Sequence, residues 1–305
     1  MQKKYLIVIA GPTAVGKTAL TIKLAKVFKA SILSADSRQF YKEMNIGTAK
    51  PTEEELAEAP HYFINSLSVT DEYSVGKFEI DALGLLENLF LKTNVVFMTG
   101  GSGLFIKAVT EGLDEFPEID PAIRKELNTL FETKGLEVLL EELKEKDVVS
   151  FETVDKGNYR RVIRALEVIR QTGIPFSSFC RGLKKERNFK IIKIAIAGDR
   201  EELYERINRR VDRMFDKGLL EEVKKLIPFK TKTPLKAVGY TELLDFLEDK
   251  LSMEEARELI KRNSRRYAKR QLTWLRKDRT YTWFHPSDYK DILEFINYCI
   301  DREKL

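Results

Sequence analysis

The chain has 305 residues and carries 53 Lys and Arg against 48 Asp and Glu, a net charge of +5. That balance is too even to name a polyanionic partner, so any nucleic-acid signal must come from where the charge lies. Two cysteines are too few for a disulfide framework or a zinc site and suit a reducing cytosol, and no apolar run approaches the ~20 residues that span a bilayer.

The apolar run Tyr5–Ala10 reads as a buried strand, and it begins so early that no signal peptide is expected ahead of it. It feeds directly into Gly11-Pro12-Thr13-Ala14-Val15-Gly16-Lys17-Thr18, a G-x-x-x-x-G-K-T pattern, and Ala19–Phe28 then reads as a helix. Strand, glycine loop and helix in that order is the context that makes a phosphate loop. Gly11 and Gly16 let backbone N–H groups point inward where a side chain would block the approach. The helix start adds free N–H groups and a positive dipole end. Lys17 supplies a point charge, and the Thr18 hydroxyl can ligate Mg²⁺ that bridges two phosphates. The loop calls for a diphosphate or triphosphate. It does not specify a nucleotide.

A second strand, Ala30–Ser34, leads into Asp36-Ser37-Arg38-Gln39. An Asp at a strand's carboxyl end beside a phosphate loop can take a proton from a nucleophile or hold Mg²⁺. It can equally cap a helix, and the residues alone leave the two readings open. Gln39–Pro51 is polar and weakly periodic, as a substrate loop or an ordinary surface loop would be. A third strand, Val95–Thr99, ends in Gly100-Gly101-Ser102-Gly103 without the acid that many phosphate-loop ATPases carry there. ATP hydrolysis is therefore disfavoured, whereas small-metabolite kinases with their Asp on the second strand remain compatible.

From Leu113 to Lys185 the chain changes to charge-rich amphipathic helices, opening with Asp120–Leu127, before Phe189–Ala197 resumes the buried-strand pattern. The expected fold is α/β: a phosphate-loop parallel sheet flanked by helices, with a helical insertion domain. Its divisions are a first core part at 1–112, the insertion at 113–187 and a second core part at 188–305. Asp199 and Glu202 form a capping-box pattern for a helix with the stripe Leu203, Ile207, Val211 and Met214. His61 and His285 read as structural.

Basic residues cluster three times. Arg160, Arg161 and Arg164 sit on a helix whose apolar side is Val162, Leu166 and Ile169. Arg206, Arg209, Arg210 and Arg213 flank the stripe of the Asp199 helix. Between Lys261 and Arg279 there are nine Lys and Arg against one acid, Asp278. On a helix, Arg262, Arg266, Lys269, Arg270 and Arg276 share one side, with Ile260, Tyr267, Leu272 and Leu275 on another. A solvated face normally mixes both signs. A single-sign face with Tyr267 and Trp274 nearby favours nucleic acid.

Together these segments resemble the tRNA dimethylallyltransferase (tRNA isopentenyltransferase) family of the bacterial type. The matches are G-P-T-A-V-G-K-T at 11–18, D-S-R-Q-F-Y-K-E-M-N-I-G-T-A-K-P at 36–51, G-G-S-G-L-F at 100–105, N-Y-R-R-V-I-R-A-L-E-V at 158–168, A-V-G-Y at 237–240 and K-R-Q-L-T-W-L-R at 269–276. The resemblance implies transfer of a dimethylallyl group from dimethylallyl diphosphate to N6 of the adenosine 3′-adjacent to the anticodon in tRNA. It implies Asp36 as general base, with Thr13 and Arg210 also catalytic. It places the donor diphosphate on Gly11 to Thr18, and Mg²⁺ at Thr18. It puts the tRNA anticodon stem-loop against Asp36, Ser37, Arg38, Gln39, Ser102, Arg124, Arg160, Arg161, Arg164, Lys269, Arg270, Gln271, Trp274 and Arg276. Arg38 departs from the small or apolar residue that many members carry after Asp-Ser. A cytoplasmic monomer with no membrane partner is implied as well. The competing readings are a small-metabolite kinase, a prenyltransferase acting on free adenine nucleotides, and a non-enzymatic RNA-binding GTPase-like module. The last is disfavoured because no N/T-K-x-D motif is present.

Overall fold

The computed structural model describes residues 3–302. The chain forms two compact units: Glu111–Glu186 is one, and the segments up to Thr110 and from Arg187 build the other.

The larger unit is organised by β1 (Tyr5–Ala10), buried along its whole length. Its six residues alternate between two cores: Leu6, Val8 and Ala10 pack into one, Tyr5, Ile7 and Ile9 into the other. A strand buried on both faces needs helices on both sides of a parallel sheet. The first layer of connections is α1 (Lys17–Phe28), β2 (Ile32–Ser34), α2 (Glu53–Glu58), β3 (His61–Tyr62), α3 (Val75–Leu89), β4 (Val95–Gly100) and α4 (Gly103–Glu111).

The smaller unit contributes α5 (Pro121–Lys134), α6 (Leu136–Lys146), α7 (Val148–Thr153) and α8 (Tyr159–Thr172). The larger unit resumes with β5 (Lys190–Ile196), α9 (Arg200–Asp216), α10 (Leu219–Leu226), α11 (Tyr240–Leu247), α12 (Met253–Lys277), β6 (Thr282–Phe284) and α13 (Tyr289–Arg302). The six strands run parallel in the order β3-β2-β4-β1-β5-β6. With β1 between β4 and β5, the loop after Ala10 emerges at the middle of the sheet's carboxyl edge.

Two edge strands, of two and three residues, escape sequence reading because they are too short to show a period of two. The second strand is shorter than Ala30–Ser34. Lys29 turns left-handed at φ 50°, and the Ala30 N–H closes α1 on the Ala25 carbonyl at 2.9 Å instead of joining the sheet. At α9 the Asp199 carboxylate accepts from the N–H groups of Glu201 and Glu202, a one-sided cap in place of the reciprocal box expected. The stripe of α9 is buried as expected, but Leu203 and Ile207 serve one core while Val211 and Met214 serve the other. This helix therefore crosses between the faces of the sheet, which brings its arginines to the carboxyl edge.

In the smaller unit, Leu127, Leu139, Leu143, Val162, Leu166 and Ile169 form a core of their own. Glu167 is buried within α8 and takes two N–H groups of Arg124, from Nε and Nη2, together with Nη1 of Arg164 at 3.2 Å. A carboxylate removed from water needs such partners. Among the described residues, no helix is long and apolar enough to cross a membrane.

Candidate active site

The phosphate loop begins with Gly11, where a Cβ would stand 2.6 Å from the Ile196 carbonyl oxygen, so no other residue fits. Ala14 at φ 64° and Gly16 at φ 102° are both left-handed. Alternating handedness of this kind turns consecutive N–H groups toward a common centre. Gly16 caps α1 without a side chain, so the first turn of the helix presents its own N–H groups. Gly11, Pro12 and Val15 are buried beneath the loop, while Thr13, Ala14, Gly16, Lys17 and Thr18 line a cavity of about 1350 Å³.

Lys17 Nζ donates to the Pro12 carbonyl at 2.7 Å. Burial lowers its pKa to about 8; the Asp36 charge opposes that fall and the Arg210 charge adds to it. Arg210 is pulled below the usual guanidinium value by burial, again opposed by Asp36. Asp36 thus shares one cavity with two cations. Its Oδ1 accepts the Arg38 N–H at 3.1 Å, and Ser37 to Phe40 form turns and not a helix. The helix-cap alternative for Asp36 therefore falls away: the carboxylate closes a local turn of the kind Asp favours, and the residue lines the cavity.

The Gly100–Gly103 turn lies alongside. A Cβ on Gly100 would meet the Ala35 carbonyl oxygen at 2.4 Å, and Ser102 Oγ accepts the Ser37 N–H at 3.1 Å. Gln39 turns inward: its Oε1 accepts from Ser34 Oγ at 3.2 Å and its Nε2 reaches the Thr48 and Ala49 carbonyls at 3.4 Å. The loop that follows is held from α10. Glu222 accepts the N–H groups of Asn45, Ile46 and Gly47 at 2.7–3.0 Å and the Tyr240 hydroxyl at 2.7 Å. Gly47 is required there, because a Cβ would collide with the Tyr240 ring at 2.6 Å. Periodicity marks neither Glu222 nor Tyr240, since their partners lie in distant segments.

The long basic helix is α12, 25 residues opened by a Ser252–Glu255 capping box. Arg262, Arg266, Lys269, Arg270 and Arg276 are all exposed on it. Lys261, which opens the basic run, pairs with Asp212 at 2.9 Å and Glu258 at 3.1 Å. One expectation needs correction. Tyr267 does not pack with Ile260 and Leu275. Its ring stays 36% exposed, lines the cavity and lies under the Arg270 guanidinium at 5.7 Å. Burial around its hydroxyl, with the Asp36 charge adding, pushes that group up to about 12. Gln271 is buried and bonded at both ends of its amide: its Oε1 accepts the Thr13 N–H at 2.8 Å and its Nε2 donates to the Gly101 carbonyl at 3.0 Å. It ties the phosphate loop to the glycine turn. Trp274 lies on Gly103, where a Cβ would sit 2.3 Å from the indole.

Asp36, Ser37, Arg38, Gln39, Arg210 and Arg270 join the phosphate loop around the cavity; Lys269 and Arg276 lie outside it. Arg160 and Arg161 are exposed on α8 of the smaller unit, whereas Arg124 and Arg164 are engaged by Glu167. Among the described residues, no cluster of three or more His, Cys, Asp or Glu can hold a metal. The donor set still fits Mg²⁺, which binds proteins through one or two oxygens and completes its shell with phosphate and water. Thr18 at the cavity wall supplies such an oxygen. His61 and His285 make local contacts, with the Ala59 carbonyl at 2.7 Å and Ser287 Oγ at 2.6 Å.

A phosphate loop and a carboxylate on one cavity, with arginines from a crossing helix and a basic helix beside it, sit at the carboxyl edge of a parallel α/β sheet. The model of the IPP transferase family matches residues 39–278. Among curated proteins, the chain is 51% identical over 293 residues to the tRNA dimethylallyltransferase of Cytophaga hutchinsonii, covering 96% of each chain. It is 52% identical over 293 residues to that of Christiangramia forsetii, covering 96% of this chain and 97% of the relative. Among solved structures, the full-length tRNA isopentenylpyrophosphate transferase of Bacillus halodurans superposes with a TM-score of 0.74 at 36% identity, covering 99% of this chain and 98% of that one. A eukaryotic dimethylallyltransferase acting on tRNA superposes with a TM-score of 0.75 at 26% identity, covering 94% and 75%. The chain belongs to the IPP transferase family, and both the resemblance and the α/β fold expected from its motifs are borne out.

Proposed function

We propose that this enzyme transfers the dimethylallyl group of dimethylallyl diphosphate to N6 of the adenosine 3′-adjacent to the anticodon in tRNA. The observation that carries this reading is a single cavity lined by Asp36, Lys17 and Arg210 together. In the step, the bond between C1 of the prenyl chain and the bridging oxygen breaks, and its electron pair leaves with the diphosphate. The N6 lone pair forms the new C–N bond, and the N6 proton passes to the free oxygen of Asp36. Lys17, Arg210 and the loop N–H groups stabilise the charge that builds on the leaving oxygens. Mg²⁺ held by Thr18 and the diphosphate would add charge neutralisation there. The exocyclic amine is a weak nucleophile, so placement of the flipped base supplies much of the rate. The exposed face of α12, and Arg160 and Arg161 in the smaller unit, suit the phosphates of the anticodon stem-loop. A tRNA substrate would place the activity in the cytoplasm.

Incubation with dimethylallyl diphosphate, Mg²⁺ and unmodified tRNA, followed by nucleoside mass spectrometry, should give N6-isopentenyladenosine without ATP. Product that forms only while ATP is consumed would replace this reading with a kinase.

Lys17 sets a pH limit on the same reaction. It is protonated below a pKa of about 8 and neutral above it, and only the protonated form attracts the diphosphate. Because kcat/KM reports the free enzyme, kcat/KM for the donor should decline as pH rises through about 8. A profile that stays flat up to pH 10 would show that the Lys17 charge does not govern donor capture.

A further inference from the structure

We infer that Arg206 is a second arginine of the diphosphate site and grips the phosphate farther from the prenyl chain, an assignment that rests on the donor reading above. Arg206, Arg210 and Arg213 follow one another at helical spacing on α9 and line the same cavity as Thr13, Lys17 and Thr18. Arg206 Nη2 lies 3.2 Å from the point that a Cβ on Gly16 would occupy. The guanidinium therefore stands over the left-handed residue that opens α1, the part of the loop whose N–H groups have no side-chain cap.

Among the described residues no carboxylate lies within ion-pair distance of Arg206, whereas its neighbour Arg209 has Glu205 at 3.6 Å. An unpaired guanidinium over a phosphate loop is a fork of N–H donors waiting for an oxyanion. The site also has a direction. Asp36, Lys17 and Arg210 line the large cavity alone, and their end is where the proton leaves and the C–O bond breaks, whereas Gly16 and Arg206 also border a smaller adjoining cleft that none of those three reaches. Arg206 occupies the Gly16 end. A diphosphate laid along the loop would present its bridging oxygen to Arg210 and its terminal phosphate to Arg206.

The test compares ligands with one and two phosphates on the purified full chain. Isothermal titration in Mg²⁺ measures inorganic pyrophosphate and dimethylallyl monophosphate binding to the wild type, Arg206→Ala and Arg206→Lys. Loss of a charge-assisted contact should weaken pyrophosphate binding roughly 10- to 100-fold in Arg206→Ala. Arg206→Lys should recover part of that loss, because it keeps the charge without the fork. Dimethylallyl monophosphate, which lacks the terminal phosphate, should bind all three proteins within about threefold, and the KM for tRNA should not move.

Wild-type pyrophosphate affinity in Arg206→Ala would overturn the assignment. An equal loss for both ligands would also overturn it, as would an effect confined to tRNA. The donor reading fails separately: wild-type protein that binds pyrophosphate yet prenylates no tRNA would sink that reading and leave Arg206 as a diphosphate contact.

Discussion

Asp36→Asn should bind the prenyl diphosphate and tRNA and yet lose roughly 10²–10⁴-fold in turnover, the usual cost of removing a general base. The substitution is clean because of how Asp36 is held. Its Oδ1 accepts the Arg38 N–H, a bond that the carbonyl oxygen of Asn makes equally well. The turn therefore persists, and only the second carboxylate oxygen is replaced, by an NH₂ group that cannot accept the N6 proton. A second signature separates this loss from a folding defect. The Asp36 charge raises the pKa of Lys17 toward its ordinary value, so removing it should move the alkaline decline in donor binding to a pH below about 8. Single-turnover rates at saturating tRNA, with donor titrations across pH, read both effects. Turnover near the wild-type rate would remove Asp36 from the proton transfer.

Reversing charge at Arg266 and Lys269 should weaken tRNA binding while leaving donor affinity unchanged. Both side chains are exposed on α12 and neither lines the cavity, so the donor contacts at Lys17, Thr18 and Arg210 are left intact. They lie three residues apart on one helical face and can follow one phosphate track. Losing two phosphate contacts should flatten the plot of log affinity against log salt by roughly 1.4 for single-stranded and 1.8 for duplex geometry. Binding isotherms at several salt concentrations, with one donor titration, decide the matter. An unchanged slope in folded protein would make this face of α12 a solvated surface and nothing more.

These two variants differ in how early their targets are legible. The phosphate loop, the alternation of strands and helices, the α9 stripe and the single-sign face of α12 are all determined by the sequence itself. Each rests on short-range chemistry: glycines where N–H groups must converge, an apolar run long enough for a strand, or side chains three and four residues apart on one helix. Asp36 is visible too, but its role is not, because an Asp after a strand suits a cap as well as a base. Only the turn around Arg38 separates the two.

What the tertiary structure decides is what each face meets. Gln271 reads as one more polar residue on a nucleic-acid helix until Thr13 and Gly101 appear at its two ends, 258 and 170 residues away along the chain. Tyr267 falls on the apolar side by periodicity but lies over the cavity, since α12 passes the carboxyl edge of the sheet there and has no core to offer it. Lys261 belongs to the basic run by sequence and to Asp212 by packing. Glu222 has no signal at all, because its partners at Asn45, Ile46 and Gly47 are backbone N–H groups that every residue but proline possesses. Local pattern specifies an element and the direction its side chains point. The strand order, here β3-β2-β4-β1-β5-β6, is set by packing across the whole sheet, and with it which distant segments come to share one cavity.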